Sequence, residues 1–396
     1  MELFLQVGAK MKRYTCQLID QWGGGTAILS PRDLDDSSLV KFSDETRAVG
    51  GQVLFDPQFY LPHSAHAGLR SHAYWPNDYD TGLFWTSPAL YTLVNELIDL
   101  NARLGSAELI LPGLLADTVN SMWLDSQISI INQANLLSSS HALIATVALS
   151  PEATRDDAQI SMILDAASSW NVQGVYIVCQ HPNGSYLVED PIWLANVLDL
   201  AAGFKQLKRK VIIGYCNQQL LAAACVNADA ICSGTWRNVR SFPPEKFEVP
   251  IEDRKTRAKW YYCPTALSEY KLLLLDGAFR VGLLSSMSPS ADLDGGYTHS
   301  LFSGVQPTSA DFRQENEFCH YLHALHEQSS NVTGTNFDEA VSKQNGLLDA
   351  AEALLSTLST SHISGDDRDF RNILSANRMA IGILNSTRGP LLRRHW

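Results

Sequence analysis

The sequence lacks an excess of positive charge: 42 aspartates and glutamates outnumber 30 lysines and arginines, for a formal net charge of −12. A surface this acidic argues against non-specific binding of nucleic acid, although a local basic segment can override the global charge. No apolar run approaches the roughly 20 residues of a membrane helix. The first residues show neither a basic segment nor a long apolar core, so no signal peptide and no membrane contact are predicted.

Cysteine motifs are missing as well. The seven cysteines are odd in number, scattered, and never spaced as Cys-x-x-Cys. This pattern is typical of reduced thiols in the core of a cytoplasmic protein and gives no support to a cysteine zinc site. His63, His66 and His72, with Asp56 as a fourth ligand, match no standard metal spacing. We therefore predict a cytoplasmic protein without a metal or cofactor.

The remaining composition, 45% hydrophobic and 18% charged residues among 396, is that of a globular protein. Continuous apolar runs alternate with amphipathic helical segments, as in a parallel sheet that is covered on both faces. Eight strands with helices between them predict an α/β fold, the (β/α)8 TIM barrel. A doubly wound open sheet is the alternative, but no glycine-rich dinucleotide fingerprint follows the first run. The runs lie at residues 3–7, 26–30, 53–55, 108–111, 142–149, 174–179, 210–215 and 228–233.

On the basis of this pattern the sequence divides into three regions. Residues 1–284 are predicted to form the barrel, and their last part, 265–280, is predicted to be a helix. A Ser-, Gly- and Pro-rich segment at 285–310 is predicted to be a linker. Residues 311–396 have apolar residues at helical spacing and predict a helical C-terminal appendage.

Polar side chains follow most of the predicted strands, and the carboxyl ends of barrel strands share one mouth. Asp56 ends the third run and is the candidate general base or nucleophile; alternatively it caps a loop amide. Asp33, after the second run, is better explained as an acid at a helix start. Gln180 and His181 either read a base or lead into the Pro-Asn-Gly turn that follows. The predicted substrate-binding residues are Gln58, Gln180, His181, Tyr215, Asn217, Ser233 and Trp236.

A basic segment follows the eighth run, in contrast to the acidic chain. Between residues 237 and 259 there are seven basic and four acidic residues. Phosphate sites of barrels commonly form near the last two strands, and arginine suits phosphate while a neighbouring tryptophan suits base stacking. The alternative is a solvated loop whose arginines pair with surface acids. The predicted phosphate or nucleic-acid contacts are Arg237, Arg240, Arg254 and Lys255.

Three segments carry a family resemblance. Val-Leu-Phe-Asp-Pro-Gln-Phe at residues 53–59 resembles an apolar strand followed by Asp-Ser-Gly-Gly-Phe-Gln in the tRNA-guanine transglycosylase family. Residues 212–215 and, after a helix, residues 228–240 resemble that family's last two strands and its Pro-Thr-Arg-Asn-Ala-Arg loop. Residues 260–273 are similar in layout to its zinc subdomain and the helix after it.

The resemblance implies a (β/α)8 enzyme that exchanges guanine in a nucleic acid for a 7-deazaguanine, with Asp56 as the general acid/base. The family's nucleophilic aspartate ends the eighth strand. In this sequence Ile231, Cys232 or Ser233 stands at that position, depending on the gap in the alignment. Pro112 and Gly113 replace the family's base-reading aspartate, and of the zinc cysteines only Cys263 has a counterpart. Divergent relatives act on DNA or belong to bacterial antiphage gene clusters, and this chain looks nearer to those.

Two functions are therefore expected. The first is a divergent transglycosylase-like enzyme that acts on guanine or 7-deazaguanine bases in DNA or tRNA, in antiphage defence. The second is a catalytically inactive barrel that binds a nucleic acid, a nucleotide or a protein, with the C-terminal helices as a surface for a partner or for self-association.

Overall fold

The computed structural model describes residues 1–77, 79, 84–138, 141–248 and 258–396. Arg254 and Lys255 lie outside the described residues. The described part of the chain contains a parallel sheet that curls into a nearly closed barrel. Its strands are β1 (Glu2–Gln6), β2 (Gly25–Leu29), β3 (Gly51–Phe55), β4 (Glu108–Ile110), β5 (Leu115–Ala116), β6 (Ala142–Leu149), β7 (Gly174–Cys179), β8 (Lys210–Ile213) and β9 (Ala230–Ser233).

The sheet is a nearly closed barrel because β3 and β4, the two ends of its pairing order, lie side by side. Leu5 in β1 lies opposite Ala27 in β2 on one side and Ser233 in β9 on the other. The order continues from β9 through β8, β7 and β6 to β4, with the two-residue β5 also paired to β6. β3 and β4 lie side by side, and the N–H of Leu115 donates to the carbonyl of Tyr60 across this seam at 3.0 Å. The predicted TIM barrel is confirmed.

Helices cover the barrel where the sequence places amphipathic segments. α4 illustrates the local signals, because Ser87 caps its start, proline occupies its first position, and Gly105 ends it with a φ of 68°. The helices are α1 (Lys12–Trp22), α2 (Asp36–Ala48), α3 (Ala67–Arg70), α4 (Pro88–Leu104), α5 (Ser121–Leu137), α6 (Pro151–Arg155), α7 (Asp157–Ala167), α8 (Pro191–Gln206), α9 (Leu272–Arg280), α10 (Ala291–Asp294), α11 (Gln314–Asn331), α12 (Phe337–Thr360), α13 (Leu374–Thr387) and α14 (Gly389–Leu392).

The segment after the barrel corrects one expectation. Residues 265–280 were expected to be helical throughout, but β10 (Trp260–Cys263) and β11 (Ser268–Lys271) form an antiparallel hairpin, and helix begins only at Leu272. The two strands satisfy each other's backbone groups, and Leu267 takes the left-handed turn position at φ 51°. This tertiary pairing overrides the apolar helical pattern that continues into α9.

The C-terminal helices pack directly on the barrel. α13 lies along α8, and α11 contacts α1 and β1. Arg388 joins the two regions through Asp199, with Nε to Oδ1 at 2.6 Å. No helix of the described residues is both long and apolar enough to cross a membrane. The boundaries at 284 and 310 stay predictions.

Candidate functional site at the barrel mouth

Asp56 lies inside the barrel at the carboxyl end of β3, with 1% of its surface exposed. The Tyr60 hydroxyl lies 2.9 Å from both of its oxygens, and the Tyr215 hydroxyl donates to Oδ2 at 2.8 Å. The backbone N–H of Gln58 donates to Oδ1 at 2.9 Å. Burial raises the pKa of Asp56 above its ordinary value, although these hydrogen bonds and Lys246 oppose the shift. The carboxyl group is thus held rigidly in a dry position at the mouth.

Gln58, a predicted substrate-binding residue, instead joins Asp56 to a second charged pair. Its side-chain amide donates to the Tyr215 hydroxyl at 3.0 Å, and its Oε1 lies 3.1 Å from the Ser30 hydroxyl. Ser30 in turn lies 3.2 Å from Asp33, whose carboxylate pairs with Arg32 at 2.9 Å. Asp33 is therefore not the acid that starts a helix. That position belongs to its neighbour Asp35, which accepts from the N–H of Ser38 at 2.7 Å.

The backbone around Asp56 is unusual in two places. Gln58 and Tyr215, both neighbours of the carboxyl group, adopt left-handed conformations with φ of 53° and 57°. Residues with large side chains rarely adopt this conformation, and such strain is found preferentially at functional sites. The strain marks this end of the barrel as the candidate active site.

Aromatic rings cover the mouth above Asp56. We call the rings of Tyr60, Tyr215, Phe242 and Phe247 the aromatic lid. Phe242 packs 4.8 Å from Tyr60 and 5.2 Å from Tyr215, measured between ring centroids, and Phe247 packs 5.2 Å from Tyr60. The Ser64 hydroxyl donates to the carbonyl of Phe247 and fastens the lid to the loop after β3. In this conformation the lid separates Asp56 from solvent.

Lys246 is a functional candidate that the sequence analysis did not single out. Its ammonium lies 4.1 Å from the Tyr215 ring centroid and 4.7 Å from that of Phe247, and it donates to the carbonyl of Asn238. Burial, followed by the charge of Arg32, lowers the pKa of Lys246 well below its ordinary value. The sequence signal that could have indicated Lys246 is its position inside the basic segment, between Pro-Pro-Glu and Phe.

The tips of β7 and β9 bring three predicted residues together. Gln180, His181 and Arg237 line a groove of about 370 Å³ beside the aromatic lid. His181 is buried, its Nδ1 lies 2.9 Å from the carbonyl of Ser185, and burial lowers its pKa to about 4. Arg237 is partly exposed and pairs with Asp367 at 2.8 Å. We call this cavity the rim groove.

Three other predicted residues are buried or bonded to the protein itself. Asn217 is fully buried, donates to the carbonyl of Tyr186 at 2.6 Å and caps the helical turn that follows it. Ser233 is fully buried at the end of β9. The Trp236 indole donates to the carbonyl of Ala9 at 2.7 Å and packs edge-on against Phe318 in α11. The indole is thus engaged with the protein itself.

Arg240 also departs from expectation, because it is buried in an ion-pair network and not exposed for a phosphate. It pairs with Glu269 at 3.0 Å, and Arg368 pairs with the same oxygen at 2.7 Å. Its guanidinium lies 3.3 Å over the Tyr321 ring. Burial by itself would raise the pKa of Glu269, but Arg368 and Arg240 outweigh it and lower that pKa. The network ties the loop after β9 to the hairpin and the C-terminal region.

The loop histidines have structural partners. His72 lies 2.6 Å from Asp36 and 2.9 Å from the carbonyl of Pro31. His66 accepts from the N–H of Gly68, and His63 packs edge-on against Tyr79. In the described ranges no group of three or more His, Cys, Asp or Glu side chains could hold a metal ion.

Comparison with known proteins gives the fold alone. No family model matches the sequence, and no curated protein matches it. Among solved structures, native xylanase 10B from Thermotoga maritima is similar at 9% identity, over 59% of this chain and 82% of that one, with a TM-score of 0.38. A glucosidase from Croceicoccus marinus is similar at 8% identity over 58% of both chains, with a TM-score of 0.33. At such low likeness neither neighbour bears on the chemistry of the site.

Proposed function

We propose that the barrel mouth is the active site of an enzyme that acts on guanine or 7-deazaguanine bases in nucleic acid, with Asp56 as the proton-transferring group. The observation that supports the proposal most is a carboxyl group with a raised pKa, buried at a strand tip and oriented by Tyr60, Tyr215 and a backbone N–H. General acid–base catalysis needs a positioned group whose pKa lies nearer to neutrality than that of a free acid.

The surroundings of Asp56 suit a flat heterocycle. The lid rings offer faces on which a base can stack once Phe242 and Phe247 move aside. Gln180 and His181 in the rim groove offer hydrogen-bonding groups for its polar edge, and Arg237 lies where a phosphate would follow. Seven free cysteines accord with a cytoplasmic site of action. The resemblance to divergent family members extends the proposal to antiphage defence.

An exchange assay tests this function. Wild-type protein is incubated with labelled guanine or a labelled 7-deazaguanine and either tRNA or DNA, and incorporation into the polymer is measured. Asp56→Asn should lower the rate by about 10²- to 10⁴-fold, the usual contribution of a proton-transferring side chain. Asp35→Asn is the matched control, because asparagine caps a helix as well as aspartate does.

Either of two results would remove the proposal. Undiminished exchange by folded Asp56→Asn protein would exclude Asp56 from the mechanism. Absence of exchange by the wild type, on both polymers and with both bases, would exclude the enzyme.

A binding module is the second candidate, and the end of β9 favours it. Cys232 and Ser233 stand there in place of a carboxylate, both are fully buried, and burial raises the pKa of Cys232 well above its ordinary value. Neither is a ready nucleophile. Two results together would identify this function. The protein should bind nucleic acid without exchanging a base, and Arg237→Gln should weaken binding and reduce the slope of log K against log salt concentration by about 0.9.

A further inference from the structure

A second cavity lies at the opposite end of the barrel from Asp56, where β8 begins. It encloses about 440 Å³ between the turn that joins α8 to β8 and the C-terminal segment. This volume is in the range of small-molecule sites. Its lining includes Lys205, Lys208, Arg209, Lys210, His395 and Trp396, and we call it the basal cavity.

The basal cavity keeps positive charge after its internal ion pairs are counted. Lys205 is neutralised by Asp229 at 2.8 Å, and Lys210 by Glu108 at 2.7 Å. Within the ranges that the structure describes, no carboxylate pairs with Lys208 or Arg209. These two cations therefore remain uncompensated in a chain whose net charge is −12.

Arg209 carries the clearest sign of a missing partner. Its Nη2 donates to the carbonyl of Trp170 at 2.8 Å, which fixes the guanidinium. Its Nε is buried and has no hydrogen-bond partner among the residues that the structure describes. Arg209 lines the cavity, so an acceptor that enters it can bind the guanidinium group. Anionic oxygens are the acceptors that guanidinium groups bind best.

The turn that carries these cations is held by its own backbone hydrogen bonds. Lys208 has a left-handed backbone with a φ of 59°. Its N–H donates to the carbonyl of Lys205 at 2.9 Å, and the N–H of Arg209 donates to that of Phe204 at 3.0 Å. Little ordering is therefore required of the backbone when a ligand binds.

From these observations we infer that the basal cavity binds the phosphate group of a nucleotide, through Arg209 and Lys208, with the Trp396 indole against the base. The cationic lining selects a phosphate, and the neighbouring tryptophan distinguishes a nucleotide from inorganic phosphate. This site is separate from the barrel mouth and does not depend on its chemistry.

Calorimetric titration of the full chain with AMP, and separately with inorganic phosphate, tests the inference. Lys208→Asn should weaken both ligands by about tenfold and should fold normally, because asparagine tolerates the left-handed turn. Arg209→Gln should weaken both at least as much. Trp396→Ala should weaken AMP while leaving phosphate unchanged. Lys41→Gln is the matched control, since Lys41 is exposed on α2, where its ammonium lies 3.9 Å from Glu45.

The possible results distinguish a nucleotide site from a simple phosphate site and from no site. Saturable AMP binding that both cation variants weaken and Lys41→Gln does not would support the site. If phosphate and AMP bind with equal affinity, and Trp396→Ala changes neither affinity, the nucleotide assignment is wrong. Absence of binding up to millimolar AMP, or binding unaffected by Lys208→Asn and Arg209→Gln, would overturn the site itself.

Discussion

Replacing Arg240 and Arg237 one at a time by methionine compares a buried arginine with an exposed one in the same loop. Both follow β9, and the sequence assigned both to phosphate. In the structure Arg240 lies between Glu269 and the Tyr321 ring, whereas Arg237 reaches Asp367 at the surface. The two substitutions remove the same charge and preserve a similar apolar stem. Any difference in stability therefore reports the difference in environment.

The expected losses differ several-fold. Breaking a buried ion pair by removing one partner costs about 3–5 kcal/mol, because the remaining charge loses its compensation. Glu269 keeps Arg368 at 2.7 Å after the change, which places Arg240→Met near the lower limit, at about 3 kcal/mol. An exposed pair contributes about 0–1 kcal/mol, so Arg237→Met should change little. Since folded proteins are stable by about 5–15 kcal/mol, only the first loss is a large fraction of the total.

Urea unfolding followed by tryptophan fluorescence measures both values by linear extrapolation. Titration with DNA or tRNA on the same samples should show the reverse order, because only Arg237 is exposed enough to contact a phosphate. A loss below about 1 kcal/mol for Arg240→Met would refute the argument from burial. So would a loss for Arg237→Met as large as that for Arg240→Met.

Two further predictions concern pH and thiol chemistry. Burial lowers the pKa of His181 and of His320 to about 4. The unfolded chain, whose histidines have ordinary pKa values near 6.5, therefore binds more protons, and the free energy of unfolding should fall as the pH drops from about 6.5 to 4. Urea midpoints that do not change over this pH range would contradict the prediction. Glu269, whose pKa is lowered in the fold, should add a further loss below about pH 4.3. Cys16 is the one cysteine that is not buried. An aromatic disulfide reagent should therefore modify Cys16 first in the folded protein, and should modify all seven cysteines only in urea. Rapid modification of several thiols in the folded protein would count against the packed core.

Local patterns in the sequence were sufficient to predict the barrel and the position of Asp56 at the end of a strand. The apolar runs stand alone between helices, and Asp56 ends one of them, so no distant residue was needed to place it at the mouth. The signals that bound helix α4 are of the same kind, because its cap, its proline and its terminal glycine all lie next to it in the sequence. Asn217 could also have been recognised as a cap from its position before a helical turn.

The partners that decide a side chain's role could not be predicted in the same way. Arg240 is buried by Glu269 and Arg368, which come from a hairpin and from the C-terminal region. Nothing near Arg240 in the sequence marks it as less exposed than Arg237. Likewise the β10–β11 hairpin depends on pairing between strands, while the apolar periodicity of residues 265–280 is local and indicated a helix.

Burial shifts the pKa values of the two ionisable groups at the mouth, Asp56 and Lys246, in opposite directions. The pKa of Asp56 is raised and that of Lys246 is lowered, so the closed lid favours the uncharged form of both. Opening the lid would hydrate both groups and move each pKa back towards its ordinary value, which favours release of a proton by Asp56 and uptake of one by Lys246. A base that replaces Phe242 and Phe247 above Asp56 would restore the dry environment with its own ring. Under the proposed function, a base bound in place of the two rings would therefore preserve the direction of both pKa shifts.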